Sequence, residues 1–313
     1  NMRQEFPVRN ATRFAPRQTG RVFANANVSQ DWQDCVAPGT WAPEFKTEGF
    51  FMFETLTAAP PDKILSLSVL YRNDPRPTKM DLGVGVYKDK AGDTVIMKAV
   101  REAEKRLYDS QKTKTYVGMA GDDGFNKAML KLVFGEDADL SRMFACQTAG
   151  GSGALRTIAD LIRKSKSGAT VWLSDPTWAN HAPILVAAGL KTATYPYFDA
   201  ASGTVRFDAM VAALRQIPAG DVVLLHGCCH NPTGANLTLD QWAVVADILV
   251  ENNLFPFVDL AYQGFGDGLD EDSAPVRLLA AKVPEMAVAT SCSKNFSVYR
   301  DRVGAVILLG KDA

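Results

Sequence analysis

The chain has 313 residues, of which 47% are hydrophobic and 22% are charged, and its formal net charge is −1. This composition is typical of an ordinary globular protein, and the length is sufficient for one large domain or two unequal ones. The balanced charge offers no basic surface for nucleic acid, and no motif of a nucleic-acid-binding fold occurs. Every apolar run is interrupted before about 18 residues, so no membrane-spanning segment is predicted.

The cysteine pattern favours reduced thiols. An odd number of cysteines without regular spacing is typical of a cytosol-like compartment, and the chain contains Cys35, Cys146, Cys228, Cys229 and Cys292. Cys228 and Cys229 stand near His226 and His230, which could suggest a metal site. However, adjacent cysteines on a strand point to opposite faces, and no second cysteine pair is present, so we predict no metal.

Residues 1–51 differ from the remainder of the chain. Five arginines precede Asp31, while Glu5 is the only acidic residue before it. An arginine-rich, acid-poor composition is typical of a mitochondrial transit peptide. We favour instead a poorly ordered extension of unknown origin, or residues upstream of a misplaced start, and we expect a cytoplasmic protein unless the segment is a transit peptide.

From residue 52 onward the hydrophobic pattern becomes regular. The first part is predicted to form helices at 62–71, 97–110 and 125–134, with a strand-like, glycine-containing run at 81–87. From residue 150, helices alternate with short strands. The helices are predicted at 153–164, 181–189, 207–216, 238–252 and 273–282, and the strands at 169–174, 192–197, 222–226, 254–260, 287–291 and 303–309. A capping box, Thr238 with Gln241, opens the fourth of these helices. The alternation predicts an α/β fold with a mainly parallel sheet flanked by helices, in which ligands bind at the carboxyl ends of the strands.

The stretch from Ser291 to Gly304 joins two of these predicted strands. It contains one lysine, Lys294, which is surrounded by hydroxyl residues and followed eight positions later by Arg302. The arrangement suits a lysine that holds an aldehyde cofactor as a Schiff base while Ser291 and Arg302 bind its phosphate. An ordinary surface lysine in a connecting loop explains this stretch equally well.

Polar residues also follow the other predicted strands. Asp259 and Tyr262 follow one strand, Asn231 follows another, and Trp178 and His181 follow a third. A glycine turn that includes Gly151 and Ser152 opens a helix, where free N–H groups suit a phosphate. This turn by itself is a weak signal, because Arg156 stands where a dinucleotide-binding fingerprint requires its third glycine.

The motifs together resemble a known family. In chain order they are Gly150–Leu155, Asp175–His181, His230–Gly234, Asp259–Phe265 and Ser291–Gly304, and shorter matches occur at 52–54, 82–87 and 115–118. They are similar to motifs of the aspartate and aromatic amino acid aminotransferases, which are pyridoxal-phosphate enzymes of fold type I. The resemblance runs from about Met52 to the last residue, in order and with compatible spacing.

The resemblance implies a role for each matching residue. Lys294 would hold pyridoxal phosphate and move the proton, Asp259 would face the pyridine nitrogen with His181 behind it, and Tyr262 and Asn231 would contact the phenolic oxygen. Trp178 would stack on the ring, and Gly85 would line the substrate pocket together with Trp178 and Asn231. The phosphate would be bound by Gly151, Ser152, Ser291 and Arg302, and by Tyr116 from the neighbouring subunit of a homodimer with shared sites.

Each residue taken alone has a simpler interpretation. Trp178 could be a core aromatic, residues 231–234 a plain turn, and Tyr116 a packed surface side chain. His181 and Asp259 could cap helices. The order of the whole set favours the functional interpretation.

The expected activity is transfer of an amino group from aspartate, glutamate or an aromatic amino acid to a 2-oxo acid, by a ping-pong route through pyridoxamine phosphate. The alternative is a fragment or homologue that binds the cofactor or a partner without turnover. We expect the amino-terminal part of a small domain at 52–94 and a large cofactor-binding domain at 95–313. The sequence stops 19 residues after Lys294, whereas the family continues into a segment that carries its carboxylate-binding arginines, so the chain is expected to be truncated and those arginines cannot be assigned.

Overall fold

The computed structural model describes residues 63–81, 83 and 85–312, together with Phe53, Leu56 and Thr57. The predicted extension at 1–51, the motif residues Met52 and Glu54, and the predicted helix start at Asp62 lie outside the described residues. The chain divides into two compact units, residues 1–61 and residues 62–313. All the elements below belong to the second unit, and the predicted division at residue 94 stays a prediction.

The helices agree closely with the periodic pattern of the sequence. They are α1 (Lys63–Asn73), α2 (Lys98–Ser110), α3 (Asp123–Phe134), α4 (Gly150–Ser165), α5 (His181–Ala187), α6 (Phe207–Leu214), α7 (Leu239–Glu251) and α8 (Ala274–Lys282). The predicted capping box of α7 is present, because Thr238 Oγ1 accepts from the Gln241 N–H while the Gln241 side chain accepts from the Thr238 N–H. Each cap satisfies a backbone donor that the helix leaves without a partner.

The strands are β1 (Met143–Ala149), β2 (Thr170–Asp175), β3 (Lys191–Pro196), β4 (Phe198–Asp199), β5 (Thr204–Val205), β6 (Val222–His226), β7 (Phe255–Leu260), β8 (Met286–Ser291) and β9 (Val303–Leu309). Seven of them form one sheet in the order β1-β9-β8-β7-β6-β2-β3, and β4 and β5 form a separate hairpin. Pairing is parallel from β3 to β8 and antiparallel on both sides of β9. The predicted fold class, α/β with a mainly parallel sheet flanked by helices, is confirmed.

The two faces of the sheet are covered by different helices. Val222 and Leu224 of β6 pack with α4 and α5, whereas Val223 and Leu225 pack with α3, α6, α7 and α8. All four side chains are almost fully buried. Successive residues of a strand point to opposite faces, so the continuous apolar runs of the sequence are those of strands buried on both sides.

The structure corrects the strand prediction at three places. The run 81–87 is not a strand at any of its described residues, and its backbone donors go elsewhere: the Gly83 N–H donates to Asp81 Oδ1 and the Tyr87 N–H donates to Tyr299 Oη. Strand β1 was not predicted, because polar Gln147 and Thr148 interrupt its apolar pattern. The short hairpin of β4 and β5 was not predicted either.

Candidate active site

A cavity of about 310 Å³ opens at the carboxyl ends of β6, β7 and β8, beside the first turn of α4. It brings together almost all the residues that the sequence analysis assigned to a cofactor. The lining includes Gly85, Gly151, Ser152, Trp178, Asn231, Asp259, Tyr262, Ser291, Lys294 and Arg302. The strand register explains the meeting, since His226 pairs with Asp259 and Asp259 pairs with Ala289, which places the ends of three strands side by side.

Lys294 projects into this cavity from the loop that follows β8. Its Nζ lies 4.6 Å from the centre of the Tyr262 ring. Burial lowers the pKa of the Lys294 amine, and the Arg302 charge lowers it further, while Asp259 acts in the opposite direction. The net effect favours a neutral, nucleophilic amine.

Asp259 is held by a chain of hydrogen bonds that ends in a backbone donor. The Asn231 N–H can only donate, so His226 Nδ1 accepts it at 3.3 Å. Burial holds the pKa of His226 well below its ordinary value, and the neighbouring His230 and His181 lower it further, so the ring is neutral and its proton lies on Nε2.

The direction of the remaining bonds in the chain then follows. His226 Nε2 donates to Thr177 Oγ1 at 3.0 Å, and the Thr177 hydroxyl donates to His181 Nδ1 at 2.8 Å. His181 is left with its proton on Nε2, which it donates to Asp259 Oδ2 at 2.9 Å. The His181 side chain is completely buried, so it orients the Asp259 carboxylate from behind the cavity wall.

Tyr262 presents its phenol to the same cavity. Burial raises the pKa of Tyr262, and the nearby Asp259 charge raises it further, so the group remains a neutral O–H donor. Its oxygen accepts a long hydrogen bond of 3.4 Å from Asn231 Nδ2. The phenolic proton is therefore directed away from Asn231.

The opposite end of the cavity is formed by the first turn of α4. Ala149, which precedes this helix, offers no capping side chain, and no acidic residue lies in the first turn. A Cβ atom built on Gly150 would lie 2.7 Å from Arg302 Nη2, and one on Gly151 would lie 3.1 Å from Ser291 Cβ. The glycines thus allow the arginine and the serine to approach a helix terminus whose N–H groups attract anions.

Arg302 itself has a left-handed backbone conformation, with φ of 54°. Its Nη1 donates to the Tyr299 carbonyl at 3.0 Å, which fixes the direction of the guanidinium. A non-glycine residue in this region is strained, and such strain often marks a functional position.

Two assigned residues do not line the cavity. His181 lies behind the cavity wall, where it donates to Asp259 and packs edge-on against Trp178 and His226. Tyr116 is fully exposed, and its predicted role toward a neighbouring subunit stays a prediction. Conversely, four residues without a role predicted from the sequence also line the cavity, namely His226, Cys228, Ser293 and Tyr299. His226 ends a strand and Tyr299 follows Lys294 closely, so position alone could have indicated both.

The chain matches the family model described as aminotransferase class I and II over residues 77–310. It is 51% identical to the aromatic-amino-acid aminotransferase of Paracoccus denitrificans over 84% of this chain and 66% of that protein. It is also 46% identical to the aspartate aminotransferase of Escherichia coli, over 84% of this chain and 67% of that protein.

A solved structure agrees with these matches. The aromatic-amino-acid aminotransferase from Burkholderia pseudomallei, covalently bound to pyridoxal phosphate, superposes with a TM-score of 0.81 at 41% identity, covering 84% of this chain and 67% of that one. The chain thus spans about two thirds of the length of the relatives it matches. By the family model, the identities and the fold, the chain belongs to the class I and II aminotransferases.

Proposed function

We propose that the protein is a pyridoxal-phosphate-dependent aminotransferase that moves an amino group from an amino acid to a 2-oxo acid. The observation that carries the proposal is the meeting of Lys294, Asp259, Tyr262 and Arg302 in one cavity. Burial lowers the pKa of the amine, and the Asp259 carboxylate and the Arg302 guanidinium both act on it electrostatically. This set contains a nucleophile, a proton-holding acid and an anion site, which are the groups that such a cofactor requires.

The residues present fit the cofactor at both of its ends. The uncapped first turn of α4, with Gly151, Ser152, Ser291 and Arg302, would bind the phosphate. Lys294 would attach the aldehyde carbon. Asp259 would hold a proton on the pyridine nitrogen. Trp178, whose side chain lines the cavity, would contact the ring face, and Tyr262 with Asn231 would bind the phenolic oxygen.

When bound, pyridoxal phosphate supplies a ring that accepts the electron pair left at the substrate Cα after its proton departs. Lys294 Nζ would take that proton from the substrate Cα and deliver it to the former aldehyde carbon of the cofactor. This transfer requires a neutral amine, which burial favours. Asp259 would keep the pyridine nitrogen protonated through each half-reaction, and His181 would hold the carboxylate in place.

We further propose aspartate, glutamate and the aromatic amino acids as candidate donors, with an aromatic amino acid preferred. Relatives named for aromatic amino acids or tyrosine reach 51% identity, whereas those named for aspartate reach 47%, and this supports the order, although two of the former match at only 42% and 43%. The preference is measured directly by half-transamination with phenylalanine and with aspartate, in which the absorbance of the cofactor is monitored during single turnovers.

The alternative of a non-catalytic protein receives no support from the comparisons. A visible absorption spectrum shows whether the cofactor is attached to a lysine, because the attached form is yellow, and half-transamination of the loaded protein then separates an enzyme from a protein that binds the cofactor without turnover. Borohydride reduction of the cofactor-loaded protein, followed by peptide mapping, then locates the attachment. The pyridoxyl group is expected on Lys294, and its recovery on another lysine would contradict the proposal.

We also propose a homodimer in which Tyr116 reaches the phosphate of the neighbouring site, and a cytoplasmic location. The exposed apolar surface of α2, which includes Leu107, and the nearby exposed Tyr116 and Val117 support a covered face. Sedimentation gives the oligomeric state. Tyr116→Phe should weaken the affinity for the cofactor and leave the oligomeric state unchanged.

Among the helices of the described residues, none is long and apolar enough to cross a membrane.

A further inference from the structure

Two adjacent thiols and a carboxylate meet next to the cofactor cavity, outside the groups used above. The sulfur atoms of Cys228 and Cys229 and a carboxylate oxygen of Asp272 all lie within 4.8 Å of one another. The sequence predicted that the two cysteines lie on a strand and point to opposite faces, and the structure contradicts that prediction. Strand β6 ends at His226, and Cys229 has a left-handed φ of 44°, so both sulfurs turn toward Asp272.

The carboxylate is fixed before any ligand arrives. Asp272 Oδ2 accepts from the N–H groups of Gly264 and Gly266 at 2.8 and 2.9 Å, and Oδ1 accepts from the Asp267 N–H at 2.9 Å. A Cβ atom on Gly266 would lie 2.4 Å from Oδ1, so the loop can wrap the carboxylate only with glycine at this position. A carboxylate offers about four lone-pair positions, so one remains on Oδ1.

The donor set and its burial select a particular class of ion. Cys228 and Asp272 are buried, whereas Cys229 is partly exposed and gives access from solvent. Two sulfurs with one oxygen suit a thiophilic divalent cation, while Mg²⁺ and Ca²⁺ require oxygen ligands. Tetrahedral coordination at a Zn–S distance of about 2.3 Å separates two sulfurs by about 3.8 Å, which the present cluster reaches by closing about 1 Å or less.

We propose that Cys228, Cys229 and Asp272 form a binding site for a thiophilic divalent cation such as Zn²⁺, with water in the fourth position. Each thiol gives its proton to solvent as its sulfur binds the ion, so two protons leave per ion and no oxidant is involved. The site shares Cys228 with the wall of the cofactor cavity. It does not depend on the proposed function, because none of its ligands was assigned to the reaction.

The test uses Cd²⁺, whose bonds to thiolates absorb in the ultraviolet, added to the cofactor-loaded protein in excess Mg²⁺. One Cd²⁺ per chain is expected, measured both by this absorption and by equilibrium dialysis. Cys229→Ser, at the partly exposed ligand, should lower the affinity by at least about 100-fold and remove most of the absorption. Circular dichroism shows whether this variant is folded.

Cys146→Ser is the matched control, because this partly exposed thiol lies outside the cluster and on strand β1. It should leave the stoichiometry and affinity unchanged. Asp272→Asn should weaken binding by about 10-fold or more while leaving the thiolate absorption in place at saturating Cd²⁺, since an amide whose oxygen faces the Gly264 and Gly266 N–H groups presents nitrogen to the ion, whereas both sulfurs remain. Absence of binding, or binding that survives Cys229→Ser unchanged, would overturn the proposal.

Discussion

At the scale of single residues, the reactivity of Lys294 depends on the groups that surround its amine. Its side chain is partly buried, and burial together with the Arg302 charge lowers the pKa of its amine. The Asp259 charge raises the pKa, so the two neighbouring charges oppose each other in their effect on the amine. The lowered pKa gives this lysine a larger neutral, nucleophilic fraction at a given pH than a surface lysine has.

Replacement of Lys294 by alanine is expected to abolish transamination while leaving the fold intact. The side chain lines a cavity and adds little to the core, so unfolding free energy should change by about 0.5 kcal/mol or less. Turnover should fall by at least about 10³-fold, because both attachment and proton transfer are lost. Urea titration and single-turnover absorbance measure the two effects. Exposed Lys311→Ala is the control, and a similar loss of turnover there would contradict a specific role.

Asp259→Asn is expected to impair turnover far more than cofactor occupancy. The amide oxygen can still accept from His181 Nε2, so the hydrogen-bond chain is kept while the charge is removed. Loss of an opposite charge at contact distance costs about 4 kcal/mol at an intermediate dielectric, or about 10³-fold in rate. Cofactor content by absorbance should remain high, since the phosphate contacts are untouched. Near-normal turnover in the loaded variant would show that the charge is not required.

At the scale of elements, the phosphate end of the cavity depends on how closely β9 approaches the start of α4. A Cβ atom on Gly304 would lie 2.6 Å from both the Gly150 carbonyl carbon and the Thr290 oxygen. Both are backbone atoms, which cannot move aside as a flexible side chain can. Gly304 therefore allows the helix terminus, β8 and β9 to meet at one point.

Gly304→Ala is expected to destabilise the protein and to weaken phosphate binding together. Overpacking against backbone costs about 1–3 kcal/mol and should shift the first turn of α4 away from Arg302. Urea unfolding gives the stability, and titration with inorganic phosphate gives the affinity. Gly168→Ala is the matched control, because nothing lies within 4 Å of a Cβ atom there. A variant that loses stability but binds phosphate normally would show that the close contact of β9 with the start of α4 is not required for phosphate binding.

For the whole molecule, the buried histidines connect folding stability to pH. His230 stacks on Tyr197 at a ring distance of 4.0 Å, and Thr233 and Ser174 lie within hydrogen-bond distance of its two nitrogens. Burial lowers the pKa of His230 from 6.5 to about 4, and the nearby His181 contributes to the decrease. Burial also lowers the pKa of His226. Both rings are therefore neutral in the folded protein.

Stability is expected to fall as the pH decreases from about 6.5 to about 4. In this range the unfolded chain binds protons on these histidines and the folded chain does not, so acid favours unfolding. For His230 alone the shift from 6.5 to about 4 corresponds to at most about 3 kcal/mol. Urea titrations across this range measure the slope. His230→Gln should be less stable at pH 7 but should show a flatter slope, and an unchanged slope would exclude His230 as a source.

Local pattern was sufficient for much of this fold and its site. Helical spacing indicated the helices, the Thr238 capping box marked the start of α7, and continuous apolar runs indicated the buried strands. Because the carboxyl ends of parallel strands meet at one edge, Asp259, Asn231 and Lys294 could be expected to lie together before any contact was known. These features depend on residues that are neighbours in sequence or on a rule that holds for every parallel sheet.

Tertiary structure decided the features that depend on distant partners. Pairing of β1 with β9 stabilises a strand whose own sequence is ambiguous, and Tyr299 takes the Tyr87 N–H that a strand at 81–87 would have used. The direction of the hydrogen bonds behind Asp259 required groups from three separate segments. The meeting of Cys228 with Cys229 and Asp272 likewise followed from where β6 ends and from one left-handed residue. Sequence spacing determines which face of an element a residue occupies, whereas only packing determines which distant backbone or side-chain group satisfies it.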